Sequence, residues 1–209
     1  MINILFDCKD FVICEKQPGL LSEHVESSSI SLPVILEDQL GVKKIFTVHR
    51  LDKEVGGVMV YAKTQDFAAF ISSQIASGDF NKEYLAVVSG KITEERGELK
   101  DLLFHDRSKN KTYVVKKKRS GVKEAVLLYD LASYDTANDL STLKIKLLTG
   151  RTHQIRVQFA SRGHAILGDR KYGSSINTKP IRLHSYILSF KDKNGNDRQF
   201  SSIPEWLPV

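Results

Sequence analysis

Residues 143–163, LKIKLLTGRTHQIRVQFASRG, place a strand directly before a helix and so define the local fold. Apolar residues alternate with lysines over residues 143–147, which predicts a strand with one buried face and one solvated face. Gly150 ends this alternation, and Thr152 is predicted to cap the helix that follows. Arg151 is therefore expected at a strand-to-helix junction, where side chains often project into a cleft.

The same kind of pattern recurs on either side of this stretch. Strands are predicted over residues 10–15, 57–62, 82–89, 124–131 and 182–190, and helices are predicted after Ser31 and Thr64. Asn194-Gly195 predicts a hairpin turn. Because strands outnumber helices and neighbouring strands are mostly joined by turns, the predicted fold class is α+β, with a mainly antiparallel sheet and flanking helices.

Composition bounds the class of protein. The chain has 209 residues, of which 41% are hydrophobic and 27% are charged, and these are ordinary globular values. No apolar stretch reaches the length of a membrane helix, and the N-terminus meets charge too early for a signal peptide. We therefore expect a cytoplasmic protein. Cys8 and Cys14 are expected to be reduced thiols, and the histidines lack metal-ligand spacing, so no metal is expected.

The positive charge is concentrated in one place. The net charge is +6, and eight basic residues but one acidic residue lie between His105 and Lys123. A basic stretch of this kind suits a polyanion, because each contacted phosphate releases counterions. A solvated flexible loop is the alternative. Strand-forming residues 113–115 interrupt the charges, which predicts a β-hairpin arm rather than a tail.

Two segments carry residues suited to chemistry. In residues 47–57, TVHRLDKEVGG, two cations flank the carboxylate of Asp52, and two glycines then permit close backbone approach. The alternative is a charged loop ahead of a strand. In residues 148–156, His153 and Arg156 are expected in the first helical turns. His153 could simply bond a backbone group, and Arg156 could be a surface cation.

Four segments together resemble one protein family, the RluA-type family of RNA pseudouridine synthases. Residues 49–57, HRLDKEVGG, resemble its HRLDxxTSG motif, and residues 148–173 resemble its later motif, which ends in GDxxYG. Residues 82–90 resemble its KxYxAxVxG strand, and residues 11–21 resemble its opening strand and KPxGL turn, with Gln17 inserted. The resemblance implies the pseudouridine synthase fold around a central cleft. It also implies one catalytic domain over residues 1–209, in the short form without an S4 domain.

The resemblance also implies a reaction and its residues. A uridine base in RNA is detached from C1′, turned over and rejoined through C5. Asp52 matches the catalytic aspartate, and Arg151 matches the arginine that pairs with this carboxylate and holds its oxygens in place. Tyr84 matches the tyrosine that lies against the uracil, where its hydroxyl can remove the C5 proton. No metal or organic cofactor is implied.

The RNA contacts implied by the resemblance lie around these three residues. Because the uridine must be flipped out of its helix, Arg50 matches the position that fills the vacated space, and Leu183 is expected against the base. The basic stretch falls where the family carries an RNA-gripping loop. The expected RNA-binding residues are Arg50, Lys53, Lys116, Lys117, Lys118, Arg119, His153, Arg156 and Leu183.

Two departures from the family pattern keep other functions open. Val55-Gly56 replaces Thr-Ser, which removes hydroxyls from the catalytic loop, and Gln158 stands where a histidine is common. The Val55-Gly56 departure alone supports the alternative, an RNA-binding protein of the same fold that acts as a folding helper, while retention of Asp52, Tyr84 and Arg151 argues against it. A glycosidase would need a second carboxylate facing the bond, and none is singled out. We expect a monomer whose partner is a compact stem-loop in tRNA or rRNA.

Overall fold

A computed structural model describes residues 1–25 and 31–207 of the chain. The chain divides into two compact units. Unit 1 comprises Met1–Lys82 and His184–Val209, and unit 2 comprises Glu83–Leu183. Within the described ranges, none of the helices combines the length and the apolarity needed to cross a membrane.

The elements follow one another along the chain as strands interrupted by short helices. In order they are β1 (Asn3–Asp7), β2 (Phe11–Lys16), α1 (Leu32–Leu40), β3 (Phe46–Thr47), β4 (Gly56–Ala62), α2 (Gln65–Ser77), β5 (Asn81–Ser89), β6 (Arg96–Asp106), β7 (Lys111–Val115), β8 (Val122–Asp135), β9 (Leu140–Leu147), α3 (Gln154–Ala160), a 3₁₀ turn (Arg170–Tyr172), β10 (Leu183–Lys191) and β11 (Asp197–Ser201). Strands are paired mostly antiparallel, so the predicted α+β class is confirmed.

Unit 1 is built around the buried strand β4. Strand β2 pairs antiparallel with β1 on one side and with β4 on the other, while β4 and β10 make a short parallel pairing. Strand β11 forms the predicted hairpin with β10. Aromatic rings fill the core, and the rings of Phe11 and Phe67 stack with their centroids 4.7 Å apart. Phe46 and Val48, which precede the Asp52 turn, pack against this core.

Unit 2 is an antiparallel sheet in the order β5-β9-β8-β6-β7. Tyr84 of β5 lies opposite Ile145 of β9, and Tyr129 of β8 also lies opposite Ile145. These side chains share one face, since directly opposed residues point the same way. Helix α3 packs on that face, where the ring of Phe159 lies 5.7 Å from that of Tyr129.

The helix boundaries test the sequence-based predictions directly. Ser31 and Thr64 occupy the predicted N-cap positions of α1 and α2, and the Thr64 hydroxyl accepts a hydrogen bond from the Phe67 amide. The predicted cap of α3 at Thr152 is wrong by one residue. His153 occupies that position in a left-handed conformation, with φ 54° and ψ 24°. The chain turns sharply there before the helix begins.

Candidate active site

Asp52 lies in a tight turn that leads into β4. The Val55 amide donates a hydrogen bond to the Asp52 carbonyl at 3.0 Å, which closes the turn. At Gly57, where φ is +120°, a Cβ atom would lie 2.2 Å from the Ser185 carbonyl oxygen of β10. A Cβ on Gly56 would lie 3.0 Å from the ring of Pro18. The close backbone approach predicted for this glycine pair is confirmed.

Ser22 holds the residue immediately before Asp52. Its hydroxyl donates to the Leu51 carbonyl at 2.8 Å and accepts from the Leu51 amide at 3.1 Å. The Ser22 carbonyl in turn accepts a hydrogen bond from the buried Tyr61 hydroxyl at 2.8 Å. Both backbone groups of Leu51 are therefore satisfied by one side chain, and the start of the turn is fixed to the core.

Lys16 holds the other end of the same turn. Its side chain is 1% exposed. The ammonium donates to the Val55 carbonyl at 2.7 Å, to the Lys53 carbonyl at 3.1 Å and to the Gln17 carbonyl at 3.3 Å. Burial lowers the pKa of Lys16 to about 8, while the negative charges of Asp52 and Glu54 oppose that change. A buried cation therefore lies beneath the turn that carries the carboxylate.

His49 is a structural residue of this loop. Its Nε2 accepts a hydrogen bond from the Val60 amide of β4 at 3.1 Å, and its ring lies against that of Phe80. Burial, reinforced by the charge of Lys82, lowers the pKa of His49 to about 3. The imidazole is therefore neutral near pH 7, and it acts as a hydrogen-bond acceptor for the sheet.

The two cations that flank Asp52 have different environments. Arg50 is exposed, and its guanidinium bonds both carboxylate oxygens of Glu23 at 2.9 and 3.2 Å. Lys53 is also exposed, while its carbonyl is bonded by the Gly19 amide at 2.7 Å and by Lys16. Glu23 was not singled out from the sequence, because nothing in the local pattern connects it with a residue so far along the chain.

Tyr84 and Arg151 belong to unit 2, whereas Asp52 belongs to unit 1. Tyr84 is buried on β5. Arg151 is exposed at the predicted strand-to-helix junction, where its Nε donates to the Glu124 carbonyl at 3.0 Å and its amide donates to the Gln154 side chain at 3.0 Å. Leu183, the remaining apolar candidate, is buried at the start of β10. The pairing of Arg151 with Asp52 stays a prediction.

Two of the expected RNA-binding residues are buried in unit 2, and their contact with RNA stays a prediction. Arg156 is 2% exposed, and its guanidinium forms a two-point ion pair with Asp169 at 2.6 and 2.8 Å. His153 is buried, with Nδ1 2.8 Å from the Tyr172 hydroxyl. The idea that Arg156 is a surface cation is wrong, because its charge is compensated within the fold. His153 is the N-cap residue of α3 and Arg156 lies in its first turn, so both contacts connect the start of the helix to the segment around the 3₁₀ turn.

The basic stretch forms the predicted hairpin arm around β7. The side chains of Lys116, Lys117, Lys118 and Arg119 are exposed in the turn between β7 and β8. The Arg119 guanidinium lies 4.7 Å from the centroid of the Phe104 ring. Among residues 1–25 and 31–207, no cluster of three or more His, Cys, Asp or Glu side chains could hold a metal ion.

Comparison with known proteins identifies a family model that covers the segments described above. A sequence model described as RNA pseudouridylate synthase matches residues 10–161, which include the Asp52 turn, Tyr84 and Arg151. The chain belongs to this family. The match covers most of the chain, and it agrees with the resemblance seen in the motifs.

Individual relatives agree with this assignment. The chain is 34% identical over 194 residues to an uncharacterized RNA pseudouridine synthase of Aquifex aeolicus, covering 89% of this chain and 60% of that protein. It is 30% identical over 218 residues to the ribosomal large subunit pseudouridine synthase D of Borreliella burgdorferi, covering 98% of this chain and 66% of that protein. The chain thus spans less than two thirds of the length of these two relatives.

A solved structure has the same fold. Human RNA pseudouridylate synthase domain containing 1 superposes with a TM-score of 0.84 at 21% sequence identity, covering 100% of this chain and 85% of that chain. This similarity establishes the architecture of a pseudouridine synthase for the chain, in agreement with the predicted fold.

Proposed function

We propose that this protein is an RNA pseudouridine synthase that isomerises specific uridines in structured RNA to pseudouridine. The observation that carries the proposal is the Asp52 turn. The family match includes its motif, and the turn is held by Ser22 on one side and by Lys16 on the other. A carboxylate kept in a fixed position suits a reaction that breaks a glycosidic bond. The contacts to the turn also offset the absence of hydroxyls at Val55-Gly56.

The proposed chemistry begins at C1′ of the target uridine. The Asp52 carboxylate either attacks C1′ as the C1′–N1 bond breaks, or removes the 2′ proton on a glycal route; in both cases the electron pair of that bond leaves with the uracil. After the base turns, C5 bonds to C1′ while the ester bond between C1′ and Asp52 breaks and frees the carboxylate; on the glycal route, Asp52 instead returns the proton to C2′ as C5 adds to C1′. The proton on C5 then leaves, and we assign its removal to the Tyr84 hydroxyl. Arg151 has the proposed role of orienting the carboxylate.

Access to C1′ requires the target nucleotide to leave its stack, which costs a few kcal/mol. We propose that Arg50 occupies the vacated position and that Leu183 contacts the base. Arg50 is suited to this role because its side chain is exposed and, among the described residues, bonds only the surface carboxylate of Glu23. Breaking such a surface ion pair to contact RNA costs little free energy. The exposed cations at residues 116–119, together with Lys53, are proposed to bind backbone phosphates.

The proposed substrate is a compact stem-loop of rRNA or tRNA. The Borreliella relative bears a ribosomal large subunit name, which favours rRNA. We further propose that both units act together as one catalytic domain, that the protein works as a monomer in the cytoplasm, and that no cofactor takes part.

Mapping of pseudouridine in cells tests the proposal. Because isomerisation leaves the RNA mass unchanged, total RNA from the host is treated with a carbodiimide that marks pseudouridine, with and without the gene for this protein. We expect at least one site to disappear on deletion and to return on complementation with the wild-type chain. An unchanged pseudouridine map would contradict the proposed activity and would favour the folding-helper alternative.

A further inference from the structure

Unit 2 contains a groove that no step of the proposed reaction uses. It runs between β7, the last strand of the sheet order, and the segment formed by α3 and the 3₁₀ turn, and its volume is about 480 Å³. We call it the β7 groove. Its apolar lining comes from Val114, Val157 and Ala160, which pack on the same small core cluster. The groove therefore has a fixed apolar floor.

The charged side chains that line the β7 groove have one sign. They are Lys111, Arg170 and Lys171, and none of the lining residues, all within the described part of the chain, is acidic. The nearby carboxylates are directed elsewhere, since Asp169 is buried against Arg156 and Asp106 bonds the Ser108 hydroxyl. A polyanion is thus the ligand that complements this lining.

An exposed aromatic ring lies beside these cations. Tyr113 is 37% exposed and shares a strand face with Lys111. The Lys111 ammonium lies 5.8 Å from the centroid of the Tyr113 ring and 5.5 Å from that of Tyr172. The Tyr172 hydroxyl lies 2.8 Å from Nδ1 of His153 and accepts a hydrogen bond from the Thr112 amide at 2.8 Å. Because Tyr172 is also buried whereas Tyr113 is exposed, Tyr113 is the ring that can accept a stacked base.

The backbone of β7 offers a further donor. The Thr112 amide points away from β6 toward Tyr172, and strand amides alternate between the two edges. The Val114 amide therefore points to the same open edge, along the groove floor. An open edge of this kind could also pair with a peptide strand, but three cations without a lining acid favour a phosphate backbone over a peptide.

We propose that the β7 groove binds a single-stranded RNA segment, with one base stacked on Tyr113 and the adjoining phosphates held by Lys111, Arg170 and Lys171. Aromatic stacking combined with cations along a backbone is how proteins bind single strands without reading their sequence. The proposal rests on the proposed function, since it gives the enzyme a contact with RNA beyond the target nucleotide. The Thr112 hydroxyl bonds the Thr152 carbonyl at 2.9 Å, which connects this strand to the segment that follows Arg151.

The test uses an oligocytidylate of about 12 nucleotides carrying a fluorescent label, because an RNA without uridine cannot enter the reaction. Binding to the full chain is followed by fluorescence anisotropy over a series of salt concentrations. Tyr113→Leu should weaken binding by about 5- to 150-fold, the effect expected for one stacked base, and Tyr113→Trp should restore it. The leucine variant keeps a strand-forming apolar residue, and circular dichroism checks that it folds.

A charge variant tests the phosphate contacts separately. Replacing Lys111, Arg170 and Lys171 by glutamine should reduce the slope of log affinity against log salt by about 2, because each phosphate that a cation neutralises adds about 0.7 to that slope. The matched control replaces Lys100, Lys144 and Lys146, three exposed lysines on β6 and β9, and should leave the slope nearly unchanged.

The outcomes separate this proposal from the proposed function. Oligocytidylate binding that is indifferent to Tyr113→Leu, or a control variant whose slope falls as much as that of the groove variant, would overturn the groove proposal even if pseudouridine is formed. Weakened binding in the groove variants would support it even if no pseudouridine site depends on the protein.

Discussion

Replacing Lys16 by methionine should reduce turnover much more than it reduces stability. The ammonium bonds the Gln17, Lys53 and Val55 carbonyls. The first two carbonyls keep backbone partners, from the Leu20 and Gly19 amides, so the Val55 carbonyl is affected most. At about 1 kcal/mol for each of the bonds to Gln17 and Lys53, and about 1–3 kcal/mol for the stranded Val55 carbonyl, the destabilisation is about 3–5 kcal/mol.

Removal of a buried charge offsets this destabilisation. The pKa of Lys16 falls from 10.5 to about 8, chiefly through burial. The two pKa values differ by about 2.5, and each pKa unit corresponds to about 1.4 kcal/mol, so the free-energy cost of the charged form in the fold is about 3 kcal/mol. The free energy of unfolding should therefore fall by only about 0–2 kcal/mol. The Asp52 turn, however, is deprived of its anchor, and a small displacement of a reacting group lowers kcat by about 10- to 100-fold.

Two measurements on two variants check this prediction. Urea unfolding gives the stability, and release of tritium from RNA labelled at C5 of uridine gives kcat and KM. The control is Lys63→Met, which removes bonds to Asp7 at 2.7 Å and to the Cys8 carbonyl at 3.0 Å, in the same unit but away from the turn. We expect Lys16→Met to lower kcat without a comparable rise in KM, and Lys63→Met to keep kcat. Equal kcat in the two variants would refute the positioning role of Lys16.

Three further predictions concern pH, the reaction and the RNA. The pKa of His49 is about 3 in the fold and 6.5 in the unfolded chain, so as pH falls below about 6.5 the unfolded chain binds a proton that the folded chain does not. The free energy of unfolding, measured with urea, should therefore decrease by about 2 kcal/mol between about pH 7.5 and about pH 5. A His49→Gln variant should lack this decrease. Tyr84→Phe should keep RNA affinity and abolish most tritium release; a near-normal rate would reassign the C5 base. Glutamine at Lys116 to Lys118 should flatten the salt dependence of binding to a structured RNA substrate by about 2–3 in slope, and an unchanged slope would leave the arm a solvated loop.

The sequence predicted the fold where local patterns are strong. The strand over residues 143–147 and the caps at Ser31 and Thr64 were found because alternation and capping are properties of adjacent residues. Strand β1 and strand β6 were missed. In β1 the apolar Leu5 is exposed together with Asn3 and Asp7, and in β6 the exposed Arg96, Glu98 and Lys100 stand in a mostly polar first half, so neither segment shows a clean alternation of apolar and polar residues.

The candidate site was also predicted only where its residues are close together in the sequence. Asp52 and its glycines could be singled out, because the chemistry of a carboxylate between cations and the demand for close approach are visible in one short segment. The clamp by Lys16 and Ser22 was not predicted, since it depends on contacts between residues 29 to 39 positions apart. The burial of Arg156 was not predicted for the same reason, because its ion-pair partner Asp169 lies 13 positions further along the chain, after α3.

The carboxylate of Asp52 is the group on which the proposed reaction depends. Asp52→Asn keeps the size of the side chain and removes its charge, so the variant should bind substrate RNA within about tenfold of the wild type, or about 1.4 kcal/mol. The most direct measurement compares tritium release from C5-labelled RNA by the two proteins under single-turnover conditions. We predict release by the wild type and none above background by Asp52→Asn. Release by the variant at a rate near that of the wild type would contradict the assignment.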